Sequence, residues 1–397
     1  MVNVGIDLHK TQFTICVRER NGNKFEKYPT TAEGYEAFLK SVAIWQRNGK
    51  EVRAGVESTG NTRYFRDRLE AAGVKVTVIN TLKLKVVTES VKKTDKHDAA
   101  TIAEFLEKDM LPVAQICSRE SEKQRRMIKA RTTLVRAQVV MKNQIHGLLT
   151  AEGMEDIRGS LQSKKGRQQA LDTLNKCKNG LEAQTLIETI DELEKSVNGT
   201  EKQLRRLTEG DRVVELLMSI PGCGEVSAWT IRAYTDDIKR FASAKRYAAY
   251  CGLAPWVQNS NETVHHGKIT KRGPEELRTA LVQVVIGMRR MKVKTAEWRL
   301  MQRYVAMKKS KGSGRAIIAT ARKLAIIIWH MLSEEVEFDI GMMADGKLKM
   351  KSESMSNATR LVEESVYEKQ DQPVSRKITG KKIKKSGVAS KKRKKVG

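Results

Sequence analysis

In the first eighty residues the hydrophobic pattern changes period repeatedly, and that alternation restricts the fold more than any other feature of the chain. Residues 2–8, VNVGIDL, form an apolar run short enough for a buried strand, and residues 12–18, QFTICVR, follow after the link HKT. Two strand patterns joined so closely predict an antiparallel hairpin. A third strand is predicted around Phe25–Tyr28. Tyr35, Phe38, Leu39, Val42 and Trp45 then fall at helical spacing across residues 33–47. Residues 51–57 return to strand, 61–72 to a helix that stops at Gly73, and 74–79 to strand again. A hairpin followed by alternating helices and strands predicts an α/β layer built on a mixed sheet.

Beyond about residue 113 the pattern becomes helical. Met127, Leu134, Met141 and Leu148 recur every seven residues. Ala183, Ile190, Val197 and Leu204 form a second heptad position, and Leu186, Leu193, Thr200 and Leu207 form its companion three residues later. Such a seam fits a coiled coil that assembles the protein into a homo-oligomer, a dimer or tetramer. It equally fits a helix packed inside one chain. A third region opens near residue 211, where LLMSIPGCGEVSAWTI reads as helix, tight Pro-Gly turn and helix, in the manner of a helix-hairpin-helix. Helices are predicted at 275–291 and 314–335. The expected organisation is therefore α/β plus α, in four regions: 1–112, 113–210, 211–340 and a basic tail, 341–397.

The formal net charge of +28 favours a polyanionic partner, with nucleic acid first among the candidates. Residues 374–397 hold eleven Lys or Arg and no acid, as a nucleic-acid-binding tail or an appended localisation tag would. Without those eleven the charge is still +17. No apolar run of about 18 residues stands out, so no membrane partner and a cytoplasmic location are expected. The five cysteines make no CxxC pair, and His265-His266 are adjacent in an extended segment that points them apart.

Four acids are the candidates for chemistry. Asp7 ends a strand in GIDLHK, Glu57 ends another in AGVESTG, and Asp95 and Asp98 open a helix in KTDKHDA. Singly, each suits a turn or a helix N-terminus. Together, two strand ends and one helix face can place four carboxylates side by side, where they would repel unless divalent cations lay between them. Oxygen ligands favour Mg²⁺ or Mn²⁺, and a pair of such ions suits phosphoryl transfer.

The order GIDLHK, GVESTG, KTDKHDA resembles the catalytic domain of the DEDD transposases, the IS-one-ten family of insertion-sequence recombinases and relatives of the Piv DNA invertase. The resemblance implies a RuvC-like domain of the RNase H fold, with Asp7, Glu57, Asp95 and Asp98 as its metal-binding acids. It continues through SIPGCGEVSAWTI, FASAKRYAAYCGLAP and GKITKRG, which look like the family's C-terminal domain. Family members carry a Ser-Ser-Gly-Gly stretch before the last of these, with a serine nucleophile. Here Ser260 is the one serine between Pro255 and Gly267, and Asn259, Asn261 and Glu262 replace the paired serine and glycines. Lys268, Lys271 and Arg272 then read as phosphate contacts. By the same resemblance the partners are donor DNA, target DNA and a structured bridge RNA that pairs with both. Two other readings remain: a RuvC-like endonuclease that activates water, and a nucleic-acid-binding protein without catalysis.

Overall fold

The computed structural model describes residues 1–19, 22–81, 83–84, 94–154, 161–177, 180–260, 263–291 and 298–339. The first region is a five-stranded mixed sheet. It comprises β1 (Val2–Leu8), β2 (Gln12–Glu19), β3 (Gly22–Pro29), β4 (Val52–Glu57) and β5 (Lys75–Ile79), ordered β3-β2-β1-β4-β5. β1, β2 and β3 are antiparallel, while β4 and β5 run parallel to β1. The third strand is longer than its apolar centre predicted, because the hairpin pairs it along the whole of β2.

The two faces of β1 have different uses. Val4, Ile6 and Leu8 join Phe13 and Ile15 in a core with α1 (Ala32–Arg47) and α2 (Thr62–Ala71). Its centre is aromatic, with Phe13 stacked on Tyr28 and Tyr35 at centroid distances of 5.3 and 5.5 Å. Gly5 points the other way, toward α3 (Asp95–Glu107). A Cβ built on Gly5 would lie 2.0 Å from the Ala99 carbonyl oxygen and 2.4 Å from the Ala103 amide. Gly55, on β4, likewise faces Ile102 and Leu111. Small residues on both sides let α3 lie directly on the sheet.

Three helices follow: α4 (Arg119–Ala151), α5 (Lys164–Lys176) and α6 (Gly180–Leu207). α6 runs antiparallel along α4, with Arg131 Nε donating to Glu201 at 2.7 Å and Gln138 Nε2 to the Ile190 carbonyl at 3.5 Å. The heptad position Ala183, Ile190, Val197 and Leu204 is buried by this packing, whereas Leu186, Leu193, Thr200 and Leu207 are half-buried. The buried half of the seam is therefore filled by helices of the same chain. Arg167 of α5 is also buried, and its Nη2 donates to Glu194 at 2.7 Å, which ties α5 to α6.

The remaining described helices are α7 (Arg212–Met218), α8 (Glu225–Thr235), α9 (Ala244–Tyr250), α10 (Glu275–Arg290), α11 (Arg299–Lys311) and α12 (Ser313–Glu334). The expected Pro-Gly turn joins α7 to α8. Gly222 within it has φ = 84° and lies against Gly287 of α10, where a Cβ on either glycine would clash with backbone. Between α9 and α10 lies a hairpin of β6 (Pro255–Ser260) and β7 (Thr263–Ile269). By length and composition α12 is apolar enough to cross a membrane, contrary to the sequence expectation. Its apolar stripe, Leu324, Ala325 and Ile328 included, is buried among its neighbours as in the core helix of a globular fold. Residues 1–338 form one compact unit, and the basic segment 374–397 lies outside the described residues.

Because Ile190 is fully buried within the chain, Ile190→Asp should lower folding stability by more than about 3 kcal/mol. Urea unfolding checks this. Release of a folded protomer with an unchanged unfolding midpoint would instead place the seam between chains.

Candidate active site

Asp7 is the penultimate residue of β1, on the Gly5 face, and is 4% exposed. Thr94 caps α3 by accepting from the His97 amide at 3.2 Å. The cap is thus Thr94, not Asp95, and both acids fall in the first helical turn. There the helix dipole favours negative charge, and three-residue spacing puts them on one face. Register places Glu57. Ile6 pairs with Val56, so Asp7 and Glu57 are the next residues on adjacent parallel strands, on the face that Gly5 and Gly55 turn toward α3.

Asp7, His9 and Asp95 bring one ligand atom each to within 4.8 Å of one another. His9 Nε2 stands 3.0 Å from Asp7 Oδ2 and 3.8 Å from Asp95 Oδ1. Gln12 Nε2 donates to Asp95 Oδ2 at 3.4 Å, and Lys27 Nζ is 3.7 Å from the same oxygen. Burial pushes the Asp7 carboxyl above the usual carboxylate range. His9 draws it down, and the charges of Asp95 and Asp98 push it up again. A buried carboxylate with two acids near it is a site that gains from a cation, and its oxygen donors fit Mg²⁺ or Mn²⁺.

Sequence reasoning missed His9. Its signal was the two-residue spacing from Asp7, which in extended backbone keeps both side chains on one side. The His9 carbonyl accepts from Thr30 Oγ1 at 3.0 Å and from Asn61 Nδ2 at 3.4 Å. Beside it opens a cleft of about 720 Å³ lined by His9, Lys10, Thr30, Asn61 and Tyr64 among others. The loop after Glu57 is held by Thr62 Oγ1, which donates to the Glu57 carbonyl at 2.7 Å.

Ser260 lies in the β6–β7 hairpin rather than in an irregular polar loop. It pairs with Thr263 in the last rung before a two-residue connection. β-Branched and aromatic residues on both sides favour strands there. Lys268, Lys271 and Arg272 are all exposed. Lys271 adopts φ = 52°, and its carbonyl accepts from the Gly273 amide at 3.0 Å. Lys268 and Arg272 line a depression of about 530 Å³ together with Trp256.

Comparison with known proteins gives two family matches in chain order. A DEDD transposase domain model of the IS110 type matches residues 4–153, and the model described as Transposase IS116/IS110/IS902 family matches residues 214–300. The chain belongs to the IS110 family of transposases. These are enzymes that cut and rejoin DNA. The transposase for insertion sequence element IS1111A of Coxiella burnetii is 25% identical over 85% of this chain and 91% of its own length. The pilin gene-inverting protein of Moraxella bovis is 25% identical over 85% of this chain and 97% of its own. A probable family 20 transposase of Pseudomonas aeruginosa is 25% identical over 70% of this chain and 83% of its own. In this IS110 transposase the first match spans all four acids, and the second spans Ser260 and the basic residues after it. The DEDD domain implies a RuvC-like fold for the sheet region and dependence on a divalent metal.

Two outcomes follow from this geometry. Gly5→Ala should destabilise the protein by about 2–4 kcal/mol, since a methyl group cannot fit between β1 and α3, and should weaken metal binding by displacing Asp95 and Asp98. Denaturant unfolding and metal titration read both effects. Mn²⁺ at a hundredfold excess over its dissociation constant should stabilise the wild type by about 2.7 kcal/mol. Asp7→Asn should abolish that gain. In EDTA at neutral pH it should unfold no earlier than wild type, because a carboxyl raised by folding withdraws stability as pH rises through its folded value, and the amide carries no such charge.

Proposed function

We propose that the protein is an RNA-guided insertion-sequence recombinase that breaks and rejoins DNA through a serine–phosphate ester. The meeting of Asp7, Asp95 and His9 within 4.8 Å, with Asp98 and Glu57 on the same side, is the observation that carries the reading. Asp7, Glu57, Asp95 and Asp98 would hold Mg²⁺ or Mn²⁺, which supplies charge stabilisation at the reacting phosphate. His9 and Lys27 sit at the edge of this cluster, where they limit repulsion among the acids in the free enzyme.

Ser260 is the proposed nucleophile. Its hydroxyl oxygen attacks a DNA phosphodiester, a new Oγ–P bond forms, the bond to the departing DNA oxygen breaks, and the serine proton ends on that oxygen as a DNA hydroxyl. The ester retains the bond energy, so a second DNA hydroxyl attacks in turn and releases the serine. Lys268, Lys271 and Arg272, a few residues further on, neutralise the backbone of the strand. Ser260 and the acids belong to regions separated by α4, a helix of 33 residues, which suits a composite site in which one protomer's serine serves another's acids. That arrangement calls for a homo-oligomer and withholds cutting until assembly is complete. The charge of +17 outside the tail accommodates a bridge RNA as well as DNA, with base pairing choosing the sequence.

A rival reading, a RuvC-like nuclease using water, is favoured by the acid cluster being assembled without Ser260. Trapping separates the two. Labelled DNA incubated with protein and Mg²⁺, then denatured, should remain attached to wild type. Ser260→Ala should yield no adduct and strand exchange reduced at least about 10³-fold, with metal and DNA binding retained. An adduct with Ser260→Ala, or cutting without any adduct in wild type, would assign the chemistry to another hydroxyl or to water.

A further inference from the structure

We propose that Trp256 is a stacking platform for an unpaired base of the DNA strand being cut, with the neighbouring phosphates on Lys268 and Arg272. This rests on the reading of Ser260 as the residue that meets that strand. Three observations carry it. First, Trp256 is 51% exposed, whereas Trp229 and Trp298 are buried and Trp329 is half-buried with its Nε1 donating to the Phe241 carbonyl. A large aromatic left open on a short hairpin is not filling a core.

Second, the backbone is shaped to lay the ring down. Pro255 pairs with Ile269 and Val257 with His266, so Gly267 and Lys268 together face the single residue Trp256. This is a β-bulge, a device that re-aims a side chain. A Cβ on Gly267 would lie 2.8 Å from Trp256 Cε3. Glycine is required there because the indole occupies the place where a side chain would be.

Third, the surroundings fit a nucleotide. The ring borders a depression of about 530 Å³ lined by Gly267, Lys268, Ile269, Thr270 and Arg272, with two cations and no carboxylate among them. An aromatic face flanked by Lys and Arg recognises a base by stacking and its backbone by charge. A paired duplex hides its base faces, so the partner is single-stranded. Trp256 and Ser260 share strand β6 four residues apart, about 13 Å at the rise of a strand. That is a few nucleotides along a DNA strand, so a base held on Trp256 fixes the strand at a set distance from the serine.

The test uses the full-length protein in EDTA, so that binding is read without chemistry. The probes are a labelled oligothymidylate, an oligouridylate of the same length and a DNA duplex, measured by fluorescence anisotropy. Trp256→Ala should weaken oligothymidylate binding by roughly 5- to 100-fold, and Trp256→Phe should recover most of the loss. Duplex binding should be unchanged. Arg272→Gln should weaken single strand and duplex alike and lower the salt dependence by about one counterion. In wild type, oligothymidylate should quench tryptophan emission that is missing from Trp256→Phe, a readout that does not require the alanine variant to fold. Equal binding by wild type and Trp256→Ala, an equal loss on duplex, a larger loss on oligouridylate, or no quenching would each overturn the proposal. Ser260→Ala should bind all three probes as wild type does, so a failure of the serine reading shows in the trapping experiment and leaves this one legible.

Discussion

The distance between β1 and α3 governs the acid cluster. Asp7 and Glu57 come from the sheet and Asp95 and Asp98 from a helix with no register to it, so nothing local brings the two pairs together. Asp7 and Asp95 meet because Gly5 and Gly55 offer no side chains to the helix and α3 answers with Ala99 and Ala103, four residues apart on one face. Thr94 then decides where the helix begins, and with it the height of Asp95 and Asp98 above the strand ends. The arrangement stores a conflict. Folding buries Asp7 and sets two acids near it, while His9 and Lys27 stand against the carboxylates and Gln12 donates a hydrogen bond to Asp95. Burial and the nearby acids make charge on Asp7 costly at this point of the fold.

Much of this was legible in the sequence. The sheet region was, because strands and helices alternate with clear periods and because turn residues mark their ends. The acids were legible as strand-end and helix-start residues, and register now puts Glu57 beside Asp7. His9 was legible only as the residue two places after Asp7, at the start of a three-residue link. Its position depends on the carbonyl contacts of Thr30 and Asn61, 21 and 52 residues away. The β6–β7 hairpin was obscured by its polar residues and by the lack of a Gly or Pro turn.

The middle helices show a different limit. A heptad seam specifies that an apolar partner exists and is silent about which chain provides it. Ala183, Ile190, Val197 and Leu204 have the spacing of an assembly surface, and α4 and α5 fill it from within. α4, α5 and α6 are neighbours in one chain, which makes an internal partner available at high effective concentration. Membrane-like composition in α12 has a similar explanation. A helix surrounded by α7, α9, α10 and α11 needs an apolar stripe as long as a bilayer span without being one.

The first turn of α4 couples the two functional regions. On one side Arg119 pairs with Asp67 and Arg63 with Glu122, which binds α4 to the helix that follows the Glu57 loop. On the other, Asp236 at the end of α8 accepts from the Ser118 amide at 3.0 Å and from the Ser118 and Ser121 hydroxyls at 2.6 and 2.7 Å. Asp236 has φ = 61°, a conformation that non-glycine residues seldom adopt, and three hydrogen bonds hold it there. Arg125 adds a bond from its Nε to the Ala233 carbonyl at 2.9 Å. The α8 end is therefore clamped to the helix start that also carries α2, and α8 packs on α10, which begins where the basic turn after β7 ends. The far end of α6 adds to this joint, where Arg205 Nε and Nη2 donate to the Glu225 carboxylate at the start of α8 at 2.8 and 2.7 Å.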